Sequence, residues 1–398
     1  MGRPRLVVYL IALVGAIVTG AIVTGATASS GADPGITART ILLGGTAPLS
    51  DPASAAVARG ADAYFKYVNA RGGVDGRSIA FTVVDDGSSP TQAVEATRQL
   101  VEEDGVFAIV NSLGTEANLA TRGYLNGLKV PQLFVGSGAS TFGREHRRYP
   151  ATIGFRPTYR AEGRVYGAYL ARTKPRARVA VLFQNDTYGR ELLAGLREGI
   201  GRSTVRVVVA EGYAPASAEV QAQLGRLNTG GADTLALFSS PGIARVAAGF
   251  AARPGWRPLL LVSADASDSA PIEGAISIAY LKDPREAAWR ADPALRVYRA
   301  ILARYARGAN PGELGHVRGM AVAYETVRLL RAVGATPTRA AVVTQLARLR
   351  DASNPFLLPG IVVRTSATER FPVEQAQLRR HTRGSWKRFG GLWNLSAG

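Results

Sequence analysis

Residues 107–118 read FAIVNSLGTEAN. An apolar run of strand length stops at Asn111. The small residues Ser112, Gly114 and Thr115 follow, and then a stretch with helical spacing. A strand that passes to a helix through Ser, Gly and Thr leaves unbonded backbone N–H groups and hydroxyls where the helix begins. Such an edge suits something small and polar.

The preceding sequence repeats this plan. ILLGG (41–45) reads as a strand and ends in the Pro-broken loop TAPLSDP. Residues 55–69 carry Val57, Ala61, Tyr64, Phe65 and Val68 on one helical face, and the Gly-rich turn RGGVDGR stops them. SIAFTVVDD is the next strand. SSPTQ opens a helix, with Ser89 suited to the N-cap, Pro90 to the first turn and Gln92 to a capping box. Beyond the opening stretch, VPQLFV forms a fourth strand and runs into GSGAS. Strands and helices alternating through short connections predict an α/β fold, with parallel sheets covered by helices on both faces. In such sheets ligands bind beyond the carboxyl ends of the strands. TAPLS, NSLGT and GSGAS all follow strands, so all three lie on that edge.

The pattern then recurs. RVAVLFQ (178–184) is a strand, NDTYG a loop, and a helix runs to about residue 200. STVRVVVAEGY, TLALF and PLLLV are further strands, with helices over 218–228 and after SSPG. LALFSSPG echoes FAIVNSLGT, and SADAS ends the last of these strands. Two βα units therefore stand in tandem, each with a polar rim. From residue 283 the chain is mostly helical (293–305, 314–333, 338–349) and closes with the strand-like pieces GIVVRTS, PVEQAQL and SWKRF.

Composition narrows the function. At 398 residues, two core-forming units are expected, and 46% apolar residues with 45 glycines fit an ordinary α/β protein. The formal charge is +18, but only five of the 48 basic residues are Lys, and the arginines are scattered except in RRHTRGSWKR (379–388). This describes a solvated basic surface near a wall or membrane, and no nucleic-acid partner is expected. With no Cys there are no disulfides, thiolate zinc sites or cysteine nucleophiles. His146, His316 and His381 are far apart in sequence, so neither a metal nor a cofactor is expected.

At the N-terminus, MGRPR is followed by a long apolar stretch with small residues at Ala26 and Ala28. This is the pattern of a secretory signal peptide over residues 1–28. Cleavage after Ala28 is favoured over an uncleaved anchor, although the stretch is long enough to cross a bilayer. Either way the rest of the chain is expected to be extracytoplasmic, secreted or held at the cell surface.

The familiar motifs of bond-making chemistry are missing from the sequence. No Gly-Lys pair supports a phosphate loop, GSGAST departs from the dinucleotide fingerprint, and HExxH and GxSxG do not occur. Asp85–Asp86 is read as a polar strand end before a capped helix rather than a metal or phosphoacceptor site. Thr115 and Ser137 alone would be turn residues; together on one sheet edge they favour a binding role. Tyr188, a loop aromatic beside Gly189, is expected at a surface or cleft. Asp265 suits either a helix N-cap or a partner for an ammonium group.

With these residues in hand, the chain resembles the type I periplasmic binding proteins, specifically the leucine/isoleucine/valine-binding family of ABC importers. The stretches that carry the resemblance are GADAYFKYVNARGGVDGR (60–77), VVDDGSSPTQAVEATRQLVEEDGVFAIV (83–110), VPQLFVGSGAS (130–140) and RVAVLFQNDTYGRELLAGLREGIG (178–201). It extends from about residue 36 to the end. It implies two Rossmann-like lobes, 36–155 with 282–365 and 156–281 with 366–398. Three crossings would join them, near 155–157, near 278–281 and within 360–372.

The resemblance also implies a site. Ser112, Leu113, Gly114 and Thr115, with Gly136, Ser137 and Gly138, would hold a ligand carboxylate. Tyr188 would cover the ligand, Ser239 would stand nearby, and Asp265 would grip an ammonium group. The implied partners are a small-molecule ligand and a membrane permease, with the protein itself a non-enzymatic monomer. The chain departs from the family's pattern in three places. Gly114 stands where the family has a Ser, TAPLSDPAS lacks an aromatic, and Ser239–Ser240 stands where a tyrosine is common. These departures leave the ligand open among a branched-chain or other amino acid, an amide and a carboxylate. A membrane-anchored sensor of the same fold is the alternative, and a secreted hydrolase ranks below both.

Overall fold

The computed structural model describes residues 33–217, 219–267 and 272–396; the expected signal peptide lies outside them. The first βα unit alternates strictly. Its strands are β1 (Thr40–Ala47), β2 (Ser78–Asp85), β3 (Ala108–Val110), β4 (Gln132–Val135) and β5 (Thr152–Gly154). Between them run α1 (Pro52–Asn69), α2 (Pro90–Arg98), α3 (Thr115–Gly127) and the short α4 (Thr141–Arg144). These strands form one parallel sheet in the order β2-β1-β3-β4-β5.

The chain then enters α5 (Tyr159–Thr173), β6 (Arg178–Gln184), α6 (Thr187–Ile200), β7 (Arg206–Tyr213) and α7 (Gln221–Thr229). β8 (Thr234–Phe238), α8 (Pro241–Ala251), β9 (Leu259–Val262), α9 (Ala264–Ser267) and β10 (Ile276–Ala279) follow. The helices α10 (Pro293–Tyr305), α11 (Leu314–Val333) and α12 (Arg339–Gln345) return to the first sheet, where α11 packs on α1 and β4. A small ribbon of β11 (Arg350–Asp351) and β12 (Val363–Arg364) precedes the hairpin of β13 (Gln375–Thr382) and β14 (Ser385–Asn394). The second sheet reads β14-β13-β10-β9-β8-β6-β7, parallel from β7 to β10 and antiparallel at β13 and β14. The chain thus passes between the two sheets three times.

Local chemistry sets the elements. Ser89 caps α2 by accepting from the Gln92 N–H, and Pro90 fills the first turn, where no donor is needed. α1 and α11 approach so closely that a Cβ on Gly319 would lie 2.0 Å from the Val57 carbonyl oxygen, and one on Gly60 would lie 2.3 Å from that of His316. Only glycine fits that crossing. The crossing sets the first turns of both helices at the same edge of the sheet. The basic run near the C-terminus is not all surface: in β13, Arg379 is buried and paired with Asp283.

Candidate functional site

A cleft of about 730 Å³ opens between the two sheets, within the size range of small-molecule sites. The five-stranded side contributes the first turns of α1 (Asp51 to Val57) and α11 (Glu313 to Arg318), together with Leu113, Gly114 and Gly136. The other side contributes Arg156, Tyr159, Pro241 and Asp265. The helices α1, α8 and α11 therefore present first-turn residues to one space, and α3 presents its cap residue Gly114. Each helix start brings a partial positive charge, set at α1 and α11 against the acidic cap residues Asp51 and Glu313, and the Ser54 N–H of α1 is already bonded to Asp51.

The loop after β3 is held from behind. Thr152 donates to the Gln132 side-chain carbonyl, Gln132 donates to Asn118 Oδ1, and Asn118 donates to the Ser112 and Gly114 carbonyls. Gly136 N–H also donates to the Ser112 carbonyl, and Leu113 pairs with Gly136 as an isolated parallel bridge. Gly114 caps α3 at φ 90°, a conformation that strains any side-chain-bearing residue. In β4, Phe134 has φ 54° and the register with β5 shifts there, a bulge that re-aims the Gly136–Ser137 turn.

The expected residues separate into two groups. Leu113, Gly114, Gly136 and Asp265 line the cleft; Ser112, Thr115, Ser137, Gly138, Tyr188 and Ser239 do not. Ser112 Oγ accepts from the Thr46 N–H. Ser137, which is buried, shares a 2.7 Å hydrogen bond with Thr115 and accepts from the Ala139 N–H, so these hydroxyls brace the two turns against each other. A Cβ on Gly138 would press on the Tyr159 ring at 2.8 Å. Ser239 is fully buried.

Tyr188 requires correction. It does not face the cleft but lies buried in the first turn of α6, its hydroxyl on Ser263 Oγ and the Ser239 carbonyl. Tyr159 packs edge-on against it and takes the cleft-facing place. Asp265 does line the cleft, and its carboxylate already has a cation beside it. Arg156, 8% exposed, donates to Asp265 Oδ1, and Arg318 approaches the same oxygen at 3.7 Å. Burial works to raise the Asp265 carboxyl, but the two guanidiniums outweigh it and hold it below the usual carboxylate range. Behind this pair, Glu162 accepts from the Ala264 N–H and the Tyr166 hydroxyl, and burial pushes its carboxyl up to about 7.

Asp265 and Arg318 belong to opposite sides of the cleft, so their contact ties the two sheets together. Thr187 to Glu116 (2.8 Å) and Ser140 to Glu191 do the same at the rim of α3 and α6. Arg156, Tyr159 and Arg318 are missing from the sequence expectation. A cation between Phe155 and Pro157, in a segment expected to cross between lobes, was the available signal for Arg156.

Two parallel-sheet lobes with a polar cleft between them define a two-lobed solute-binding architecture. The chain belongs to the periplasmic binding protein family, whose model matches residues 40–380. Within it the chain is of the type I, leucine/isoleucine/valine-binding kind. It is similar to the Leu/Ile/Val-binding protein homolog 3 of Brucella melitensis biotype 1, 27% identical over 201 residues, 49% of this chain and 53% of that protein. The chain spans about half the length of the curated relatives it matches. A branched-chain amino acid ABC transporter structure from Thermus thermophilus with bound valine aligns at TM-score 0.73 and 19% identity, covering 89% of this chain and 96% of that one. A solute-binding protein from R. palustris in complex with benzoate aligns at TM-score 0.73 and 19% identity, covering 88% and 96%. At such identities the structural likeness speaks for the fold alone.

Proposed function

We propose that the chain is the extracytoplasmic substrate-binding protein of an ABC importer, capturing a small carboxylate-bearing metabolite between closing lobes. The carrying observation is the cleft whose two walls come from separate sheets and whose lining gathers the starts of α1, α8 and α11 with the α3 cap residue Gly114. Valine and benzoate, the ligands in two structures of this fold, share a carboxylate. In this reading the lobes are 36–155 with 282–365 and 156–281 with 366–398, and the anion sits at the start of α3. The role requires no bond-making. The polar lining residues are three acids, three arginines, Asn310, Tyr159 and Ser54, and Ser54 is engaged by the α1 cap residue Asp51.

A ligand that touches both walls favours the closed state by its added contacts. A bias of about 5.5 kcal/mol turns a 1:99 population into 99:1. A few charge-assisted hydrogen bonds, at about 1.5–3 kcal/mol each, supply it. The test is a thermal-shift screen with amino acids, amides and organic acids. A ligand at 100 times its Kd adds about 2.7 kcal/mol of stability and raises the melting temperature. A screen without any saturable shift would count against a binding role.

A further inference from the structure

The cleft lies beyond the carboxyl ends of the strands, and the opposite end of the five-stranded side has a chemistry of its own. There the second half of α1 lies against α10 and α11, with a groove on each flank. One groove is lined by Tyr67, Arg71, Val297, Arg304 and Tyr305, the other by Tyr64, Tyr324, Arg328 and Arg331. Tyr64 and Tyr67 join them, their ring centroids 5.7 Å apart. The face thus interleaves arginine with tyrosine, and Val297, 43% exposed, adds an apolar side chain open to solvent.

The charges of this face do not cancel. Among the described residues, Arg71, Arg304 and Arg331 have no carboxylate partner. Arg71 stacks on the Tyr67 ring at 3.7 Å, Arg304 lies over Tyr305 at 5.4 Å, and Arg331 donates to the Gly73 carbonyl. The helix α10 holds three arginines and no acid. The acids nearby are set against other cations: Asp62 binds Lys66, Asp351 binds Arg328, and Asp75 shares its turn with Arg77. Burial pushes the Glu325 carboxyl up to about 8, so it carries little charge at neutral pH. The acidic run 102–104 goes with α2 and α3, where Tyr124 donates to Glu102. Those helices cover the other face of the sheet, because the crossings from β1 to β2 and from β2 to β3 run in opposite directions. The described chain also begins at this end. Arg77 donates to the Thr37 carbonyl at 2.8 Å, and Asp33 accepts from the Arg339 N–H at the start of α12. The sequence before Asp33 includes the uncharged, apolar stretch 6–28.

We propose that the face made by α1, α10 and α11 docks on an anionic lipid surface, its arginines at the headgroup phosphates and its tyrosines at headgroup depth. Tyrosine rings favour that level of a bilayer, and each basic side chain beside an anionic surface is worth about fivefold in binding. A lipid surface fits better than an acidic protein, since the cations are spread over three helices rather than gathered in one groove. The apolar stretch 6–28 also precedes the chain where it enters this end. Docking here leaves the cleft, at the other end of the strands, open to solute.

Sedimentation of the full chain with vesicles tests this, comparing phosphatidylcholine alone with phosphatidylcholine carrying about 30% phosphatidylglycerol. The readout is the ratio of the two affinities, because any binding through the stretch 6–28 is common to both. The parent favours the anionic vesicles about a hundredfold, and the preference fades by about 0.5 M salt as screening shortens. Arg71→Gln, Arg304→Gln and Arg331→Gln together lower the ratio at least about tenfold. Arg176→Gln, Arg202→Gln and Arg257→Gln remove the same charge from exposed positions on the seven-stranded side and lower it less than about threefold. Circular dichroism confirms that both triple variants fold. Equal losses in the two variants, or a parent that binds both vesicles alike, overturns the proposal. So does binding of polyglutamate that the first variant abolishes while its vesicle ratio stands, which would give the face to an acidic protein. None of these outcomes touches the solute-binding role, which the thermal screen decides.

Discussion

Asp265→Ala is the most informative single perturbation of the cleft wall. The change removes the carboxylate from Arg156, whose side chain is only 6% exposed. Stranding one member of a buried ion pair costs about 3–5 kcal/mol. The low end applies, since 26% of the Asp265 side chain reaches solvent, and the Tyr159 ring still lies 5.3 Å from the guanidinium carbon. The expected loss is therefore about 3 kcal/mol. Arg156→Met costs a similar amount, and the double variant loses less than the sum, with a coupling of about 2 kcal/mol. Urea unfolding followed by circular dichroism at neutral pH reads all three.

The same pair has a pH signature. Asp265 titrates lower in the folded chain than in the unfolded one. Its contribution is therefore complete above the ordinary carboxylate range and is lost as pH falls through the lowered folded value. The acid limb of the stability curve should be shallower in Asp265→Ala than in the parent. A loss under about 1 kcal/mol, the worth of an exposed pair, or strictly additive single effects, would refute the claim that this ion pair is desolvated and structural.

Three further outcomes are expected. Glu162, with its carboxyl raised to about 7, binds its proton more tightly in the folded chain. Stability therefore falls by about 3 kcal/mol as pH rises from the ordinary glutamate range to 7, and Glu162→Gln should remove most of that decline in urea titrations across pH 4.5–7. Gly319→Ala places a methyl on the Val57 carbonyl and should cost at least about 1–3 kcal/mol, with ligand affinity falling too because the starts of α1 and α11 shift. Tyr188→Phe removes a hydroxyl bonded to Ser263 and Ser239. It should cost about 1 kcal/mol while leaving affinity within about twofold; a large loss of affinity would return Tyr188 to the ligand.

The alternation of strand and helix was legible because periodicity and caps agree. Ser89 caps α2 as its capping chemistry predicts, and α10 and α11 lie where the helical pattern places them. β5 lies in the mixed stretch YPATIGF (149–155), without the unbroken apolar run that marks the equally short β3. The loops of the site were legible as polar rims, but the direction of their side chains was not. Ser137 and Thr115 turn toward each other, and Tyr188 turns inward behind Tyr159, through contacts that only the assembled lobes create. The Arg156–Asp265 pair joins residues 109 positions apart, and among so many arginines only the place of Arg156 between Phe155 and Pro157, in the expected crossing, sets it apart.

The distance across the cleft tests the account most directly. The chain has no cysteine, so Thr91→Cys and Arg253→Cys can carry a donor and an acceptor dye, one on each side. With a ligand from the thermal screen, transfer efficiency should rise in a saturable titration whose midpoint matches the calorimetric Kd. Ligand bound at that Kd with the distance distribution unchanged would contradict closure of the two lobes around solute.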